Sequence, residues 1–253
     1  MDRKTILITG ATSGIGEATA RIFAANNFRI IITGRRKERL DKLAEELKAE
    51  YKAVVLTLSF DVRNSSEVQK NIASLQGDWS IIDVLVNNAG LASGLGPIQS
   101  GELDDWEKMI DTNIKGLLYV TRAVSPLMIA RNSGHIINIA SVAGKEVYPN
   151  GNVYCATKHA VDALSRSMRI DLLPHGIKVT NIAPGLVETE FSVVRFHGDK
   201  ERADNVYKGY QPLNAADIAD AIWYAASRPA HFCVNDMVLT PLAQANAYVV
   251  KKE

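Results

Sequence analysis

The sequence predicts an α/β fold: a doubly wound parallel sheet of about seven strands with helices on both faces. Three observations carry this. Short, β-branched apolar runs alternate with helical stretches from one end of the chain to the other. The runs are apolar at consecutive positions, as strands buried on both faces must be. A glycine-rich turn, TGATSGIG, follows the first run and opens the first helical stretch.

Each element has its own signal. KTILIT (4–9) is an apolar strand ended by Gly10, and Ile15, Ala18, Ile22 and Ala25 then share one helical face. RIIIT (29–33) is a second strand. Over 36–50, Leu40, Leu43, Ala44 and Leu47 recur at helical spacing with charges opposite. AVVLTLSF (53–60) is a third strand, followed by a helix over 65–76. DVLVNNAG (83–90) is a fourth strand with its turn. A long helical region over 104–131 is interrupted by Pro126. HIINIAS (135–141) is the fifth strand, 152–173 a helix, and KVTNIAPG (178–185) the sixth strand. A helix over 215–227 and the strand DMVLT (236–240) end the series. Only 186–212 breaks the rhythm and reads as a long substrate loop within a single domain spanning 1–253. In such sheets ligands bind at the carboxyl ends of the strands, near the topological switch point. That places Gly10–Gly16, Asn87–Gly90, Ser141 and Pro184–Gly185 at the site.

Composition narrows the function classes. The net charge of +1 points to neither nucleic acid nor an acidic surface as partner. The first apolar run is too short for a signal peptide, and no stretch reaches the roughly 18 apolar residues needed to cross a bilayer. Cys155 and Cys233, the two cysteines, have no metal-ligand spacing, nor do the five histidines. The expectation is a cytoplasmic protein with no metal, no disulfide and no membrane anchor.

The turn TGATSGIG contributes Gly10, Thr12, Ser13, Gly14, Ile15 and Gly16. Glycine there lets the backbone turn tightly and lets a diphosphate approach a helix N-terminus. Its spacing is not the usual G-x-G-x-x-G, and alone it also fits an ordinary strand-to-helix turn. The end of the second strand then selects the nucleotide. An acidic residue there would bind the ribose 2′-hydroxyl of NAD. This chain has Arg35 and Arg36 instead. A guanidinium pairs with phosphate, and two arginines at a helix start oppose the dipole, so a 2′-phosphate supplies their reason. The reading is NADP over NAD.

TGATSGIG, NNAG (87–90), Asn113, Ser141, YCATK (154–158) and PG (184–185) fall in one order over nearly the whole chain. This set resembles the short-chain dehydrogenase/reductase family. HIINIASVAG, YPNGNVYCATK and PGLVETEFSVVRFHGD resemble its NADP-dependent 3-hydroxy acid dehydrogenases, which oxidise serine, allo-threonine and related acids. The likeness at VNDMVLTPLAQAN is looser. The resemblance implies a Rossmann-type domain and a homotetramer. It implies that Ser141 bonds the substrate oxygen, that Lys158 also binds the nicotinamide ribose, and that Asn113 holds a water linking the lysine to solvent. It further implies that Asp61 and Val62 meet the adenine, that Asn87, Ala89 and Gly90 line the ribose and nicotinamide, and that Pro184, Gly185, Val187 and Thr189 hold the carboxamide.

Physical chemistry gives the tyrosine its own reason. Hydride transfer from an alcohol needs a base for the hydroxyl proton, and a free phenol near pKa 10 is too weakly acidic for neutral pH. Lys158 lies one helical turn from Tyr154, on the same face, and a cation there favours the phenolate. Asn152 is expected to cap that helix. On the substrate side, Arg195 stands between Val194 and Phe196 in the long loop, where it would clamp a carboxylate on closure. An arginine snorkelling at the surface is the competing reading. Tyr148 and Asn150 precede the catalytic helix and would line the pocket. Three functions stay open: a 3-hydroxy acid dehydrogenase, a short-chain reductase of another carbonyl (a 3-oxoacyl thioester, a sugar or a hydrophobic ketone), and a non-catalytic NADP-binding protein.

Overall fold

The computed structural model describes residues 3–253. The chain order is β1 (Thr5–Ile8), α1 (Gly14–Ala25), β2 (Arg29–Gly34), α2 (Lys37–Tyr51), β3 (Val54–Ser59), α3 (Ser65–Ala73) and β4 (Val84–Asn87). It continues with α4 (Leu103–Ile110), α5 (Leu117–Ile129), β5 (Gly134–Ile139), α6 (Asn152–Leu172) and β6 (Ile177–Pro184). The last part holds β7 (Val187–Glu188), α7 (Phe191–Arg195), α8 (Lys200–Asn205), β8 (Leu213–Asn214), α9 (Ala215–Ala226) and β9 (Asp236–Leu239). The seven-stranded sheet runs β3-β2-β1-β4-β5-β6-β9, parallel at every pairing. The predicted fold class is the observed one.

Alternation along the strands builds two cores. Ile6, Ile8, Ile30, Ile32, Val84 and Val86 face one layer, which holds α1, α2 and α9. Leu7, Ile31, Leu85 and Ile136 face the other, with α3, α5 and α6. The chain leaves β1 towards β2 and β3, then returns to place β4 on the other side of β1. The switch point therefore lies between the ends of β1 and β4, where a ligand cleft is expected.

Three expectations need correction. In α1 the buried face is Gly16, Thr19, Ala20, Phe23 and Ala24, while Ile15 and Ile22 flank it and Ala25 is exposed. The edge-to-face cluster of Phe23 with Phe28 and Trp223 of α9 sets that rotation. The region 104–131 is broken by a π-helical turn at Asp111–Gly116, and Pro126 lies inside α5. A proline in a helix interior removes one backbone bond, here to the carbonyl of Arg122. Both residues are on the exposed side, where the carbonyl is not left buried. The interval 186–212 is not one loop: it contains β7, α7 and α8, and β7 pairs with β8 just beyond it. Helices of five and six residues are too short to show periodicity.

Candidate active site

The ends of β1, β4, β5 and β6 open into one cleft of about 450 Å³. Gly10 and Gly14 both have left-handed backbone, with φ of +66° and +55°, which favours glycine. A Cβ on Gly10 would sit 2.9 Å from the Ala89 Cα, so the two turns at the switch point touch. Asn88 joins them, its Nδ2 donating to the carbonyls of Thr9 and Gly10 at 3.0 and 3.1 Å. Ser13 precedes α1 without capping it through its side chain, which suits a site where a ligand meets the first turn.

Of the turn residues, Gly10, Thr12, Ser13, Gly14 and Ile15 line the cleft. Gly16 is buried beneath, where a Cβ would meet the Gly10 carbonyl at 2.5 Å. Arg35, Arg36, Asp61, Val62, Ala89, Gly90, Pro184, Gly185, Val187 and Thr189 also line it. Arg35 has an exposed side chain, 4.0 Å from the Asp61 carboxylate. Arg36 is folded back, its Nη2 donating to the hydroxyls of Thr12 at 2.8 Å and Ser13 at 3.0 Å.

Asn87 does not match its expected place. As the last residue of β4 its side chain turns under the sheet and donates to Thr121 Oγ1 and Asn138 Oδ1, both at 2.9 Å. Its neighbour Asn88 lines the cleft instead. Asn150 also lies off the main cleft, beside a second cavity of about 190 Å³ that shares Tyr154 and Arg195 with the first. Asn152 is not the helix cap. Gly151 is, and only glycine fits that position, since a Cβ there would collide with the Tyr148 ring at 2.2 Å. Asn152 Nδ2 instead donates to the Gly96 carbonyl at 2.9 Å.

Ser141, Tyr154 and Lys158 converge on the cleft floor. Ser141 follows β5, its Oγ accepting from the Ala143 N–H at 3.1 Å and donating to the Pro184 carbonyl at 3.3 Å. Tyr154 and Lys158 emerge one turn apart on α6, both buried, with the ammonium 5.9 Å from the phenol ring centre. Lys158 Nζ donates to the Ile139 carbonyl at 2.9 Å. Asn113, in the π turn, accepts from the Leu91 N–H at 2.9 Å and donates to the Leu91 carbonyl and Thr157 Oγ1. Both its amide protons are thereby engaged.

Burial governs the proton chemistry of this site. It pushes the Tyr154 phenol well above its ordinary range, reinforced by the nearby Tyr148, while the Ser141 hydroxyl and the Arg195 guanidinium pull it down. Burial likewise pushes the Lys158 ammonium down to about 8. Desolvation is thus the larger effect on both groups, and the Arg195 guanidinium also acts on the phenol.

Arg195, expected on the substrate side, ends α7 and lines both cavities. Its Nη2 donates to the Tyr148 hydroxyl at 2.9 Å and its Nε to the Gly94 carbonyl at 3.3 Å. Its guanidinium carbon lies 5.6 Å from the centre of the Tyr154 ring. Among the described residues, nothing accepts from its Nη1. Sequence reasoning missed Phe191, whose ring meets Tyr154 edge-on at 5.7 Å. It also missed Gln244, whose Oε1 accepts from the Leu186 N–H at 2.8 Å and holds the chain beyond Pro184–Gly185. Neither had a local signal, since both act across the fold. No group of three or more potential metal ligands occurs among the described residues, and no helix there is long and apolar enough to cross a membrane.

The chain is similar to known proteins along most of its length. Residues 4–199 match the family model described as short chain dehydrogenase. The chain is 50% identical over 243 residues to the NADP-dependent 3-hydroxy acid dehydrogenase YdfG of Salmonella typhi, covering 96% of each protein. It is 45% identical over 243 residues to the serine 3-dehydrogenase of Agrobacterium fabrum, again covering 96% of each. A solved structure, the closed form of serine dehydrogenase complexed with NADP⁺, superposes with a TM-score of 0.92 at 45% identity, covering 98% of this chain and 99% of that one. On a family-model match of this extent, and on relatives alike along almost their whole length, the chain belongs to the short chain dehydrogenase family.

Proposed function

We propose that this protein is an NADP-dependent dehydrogenase of 3-hydroxy acids such as serine or allo-threonine. The observation that carries the substrate class is Arg195: a guanidinium with an uncommitted Nη1, beside the Tyr154 ring, in a position to hold a carboxylate while the adjacent hydroxyl meets the phenol. The names of the relatives support the same class.

The cleft suits the dinucleotide. Gly10 and Gly14 give the turn its left-handed backbone and line the cleft at the start of α1, and Arg35 offers an exposed guanidinium for a 2′-phosphate. The dinucleotide, when bound in its oxidised form, supplies the hydride acceptor and a positive charge beside Tyr154. Tyr154 Oη then takes the substrate hydroxyl proton as the C–H hydride leaves, and returns it in the reverse direction. Ser141 Oγ holds the reacting oxygen and steadies the charge that develops on it. Lys158 is held by the Ile139 carbonyl next to Gly90, whose missing side chain leaves space near its ammonium for a ribose hydroxyl. Asn113 fixes Leu91 and Thr157 around it. Tyr148 orients Arg195, and Asn150 shapes the adjoining cavity.

The chain works in this reading as a single domain, with 186–212 as its substrate segment. We infer a homotetramer, supported by Ile170 and Leu173 on and after α6, 74% and 72% exposed. The free thiols of Cys155 and Cys233 fit a cytoplasmic setting.

An assay with NADP⁺ against serine, allo-threonine, 3-hydroxybutyrate and uncharged secondary alcohols tests the substrate class. The hydroxy acids should turn over, and Arg195→Ala should raise their KM at least tenfold, with little change for a neutral alcohol. Turnover of neutral alcohols alone would instead indicate another carbonyl substrate.

A further inference from the structure

Glu190 immediately precedes α7 in the substrate segment, yet its carboxylate is bonded across the cofactor cleft. Arg39 Nη1 donates to its Oε1 at 2.7 Å, and Arg36 Nη1 to its Oε2 at 3.1 Å. Arg36 uses its other nitrogens on Thr12 and Ser13 of the phosphate turn. The preceding residue, Thr189, packs on that turn as well: a Cβ on Gly14 would meet its Cγ2 at 3.2 Å. The substrate segment and the nucleotide turn thus meet over the cleft, and an ion pair forms the junction. Arg39, and then Arg36, hold the Glu190 carboxyl below its usual range, so it is charged throughout the neutral pH region.

Arg36 is one of the two arginines that the end of β2 offers to a 2′-phosphate. A carboxylate and a phosphate are equivalent ligands for a guanidinium fork. Two such anions on one fork repel each other, and each lowers the affinity of the fork for the other.

We propose that Glu190 is a cofactor-specificity residue: an internal counter-anion of Arg36 and Arg39 that competes with the 2′-phosphate of NADP(H) for the same guanidinium groups. The inference rests on the NADP-dependent reading above. It makes the substrate segment respond to the one phosphate that distinguishes NADP from NAD. It also accounts for an acidic residue set against the basic cluster that selects the cofactor.

The three side chains are 41–48% exposed, so solvent screens the pairs. Exposed pairs of this kind correspond to roughly two- to fivefold in an equilibrium constant. The test is the dissociation constant of NADPH and of NADH for the full chain, wild type and Glu190→Gln, measured by nicotinamide fluorescence at low and high ionic strength. At low salt the variant should bind NADPH about two- to fivefold more tightly, with a smaller change for NADH, and the gain should vanish at high salt. Glu190→Asp keeps the charge and should bind as the wild type does. Unchanged or weaker NADPH binding, or an equal gain for both nucleotides, overturns the proposal. Weaker binding would mark the bridge as a clasp that retains the cofactor. A wild type with no preference for NADPH over NADH would instead overturn the NADP reading itself.

Discussion

Tyr154 shows how far a residue's chemistry depends on its surroundings. The spacing to Lys158 puts both on one helix face, and that much is legible in YCATK. The upward push on the phenol is not, because it depends on burial among Phe191, Tyr148 and the neighbouring loops. Tyr154→Phe removes the proton carrier and little volume. Turnover should fall at least a thousandfold, while NADPH affinity, measured by fluorescence titration, should stay within about threefold. A variant that retained appreciable turnover would move the acid/base role to another group. Asn87 and Asn88 make the same point about position. They are adjacent and identical, but the last pleat of β4 sends the first under the sheet and leaves the second at the cleft. No local pattern distinguishes them, because the register at a strand end is set by its neighbours.

At the scale of elements, the long periodic pieces were readable and the irregular ones were not. The face of α2 and all seven strands of the main sheet follow from apolar spacing. The π turn does not, since it arises where Asn113 anchors to Leu91 and where Gly116 passes within a side chain's width of Val62. Strand β5 also carries a buried histidine. Thr180 donates its hydroxyl proton to the Val234 carbonyl, so it must accept from His135 Nε2 at 2.7 Å. The ring is therefore the neutral Nε2–H form, with Nδ1 buried and unpaired. Burial, with the Lys178 charge, lowers its pKa from 6.5 to about 3. Between those values the unfolded chain holds a proton that the folded chain does not, so stability is lost as pH falls below about 6.5. The loss should reach about 2 kcal/mol at pH 5 by urea denaturation, and His135→Gln should remove most of that slope. An unchanged slope in the variant would assign it to other groups.

On the scale of the whole molecule, several large apolar side chains lie on the surface. Ile170 on α6 and Leu173 just after it, and Val238, Leu242 and Tyr248 at the β9 end, are all more than half exposed. Such patches on a folded chain mark contact surfaces. Wild type should elute as a tetramer in size exclusion with light scattering, and Ile170→Asp should yield a smaller species with unchanged far-UV circular dichroism. A monomeric wild type would remove the tetramer from the reading.

Legible in the sequence alone were the parallel sheet, the glycine-rich turn after β1 and the placing of Tyr154 and Lys158 one helical turn apart. These are encoded in spacings of a few residues, which local backbone geometry converts directly into structure. The tertiary structure alone decided that Arg36 meets Glu190, more than 150 positions away, that Asn88 rather than Asn87 faces the cleft, and that Arg195 reaches Tyr154. These pairings join segments far apart in the chain, and only the packed fold brings them within bonding distance.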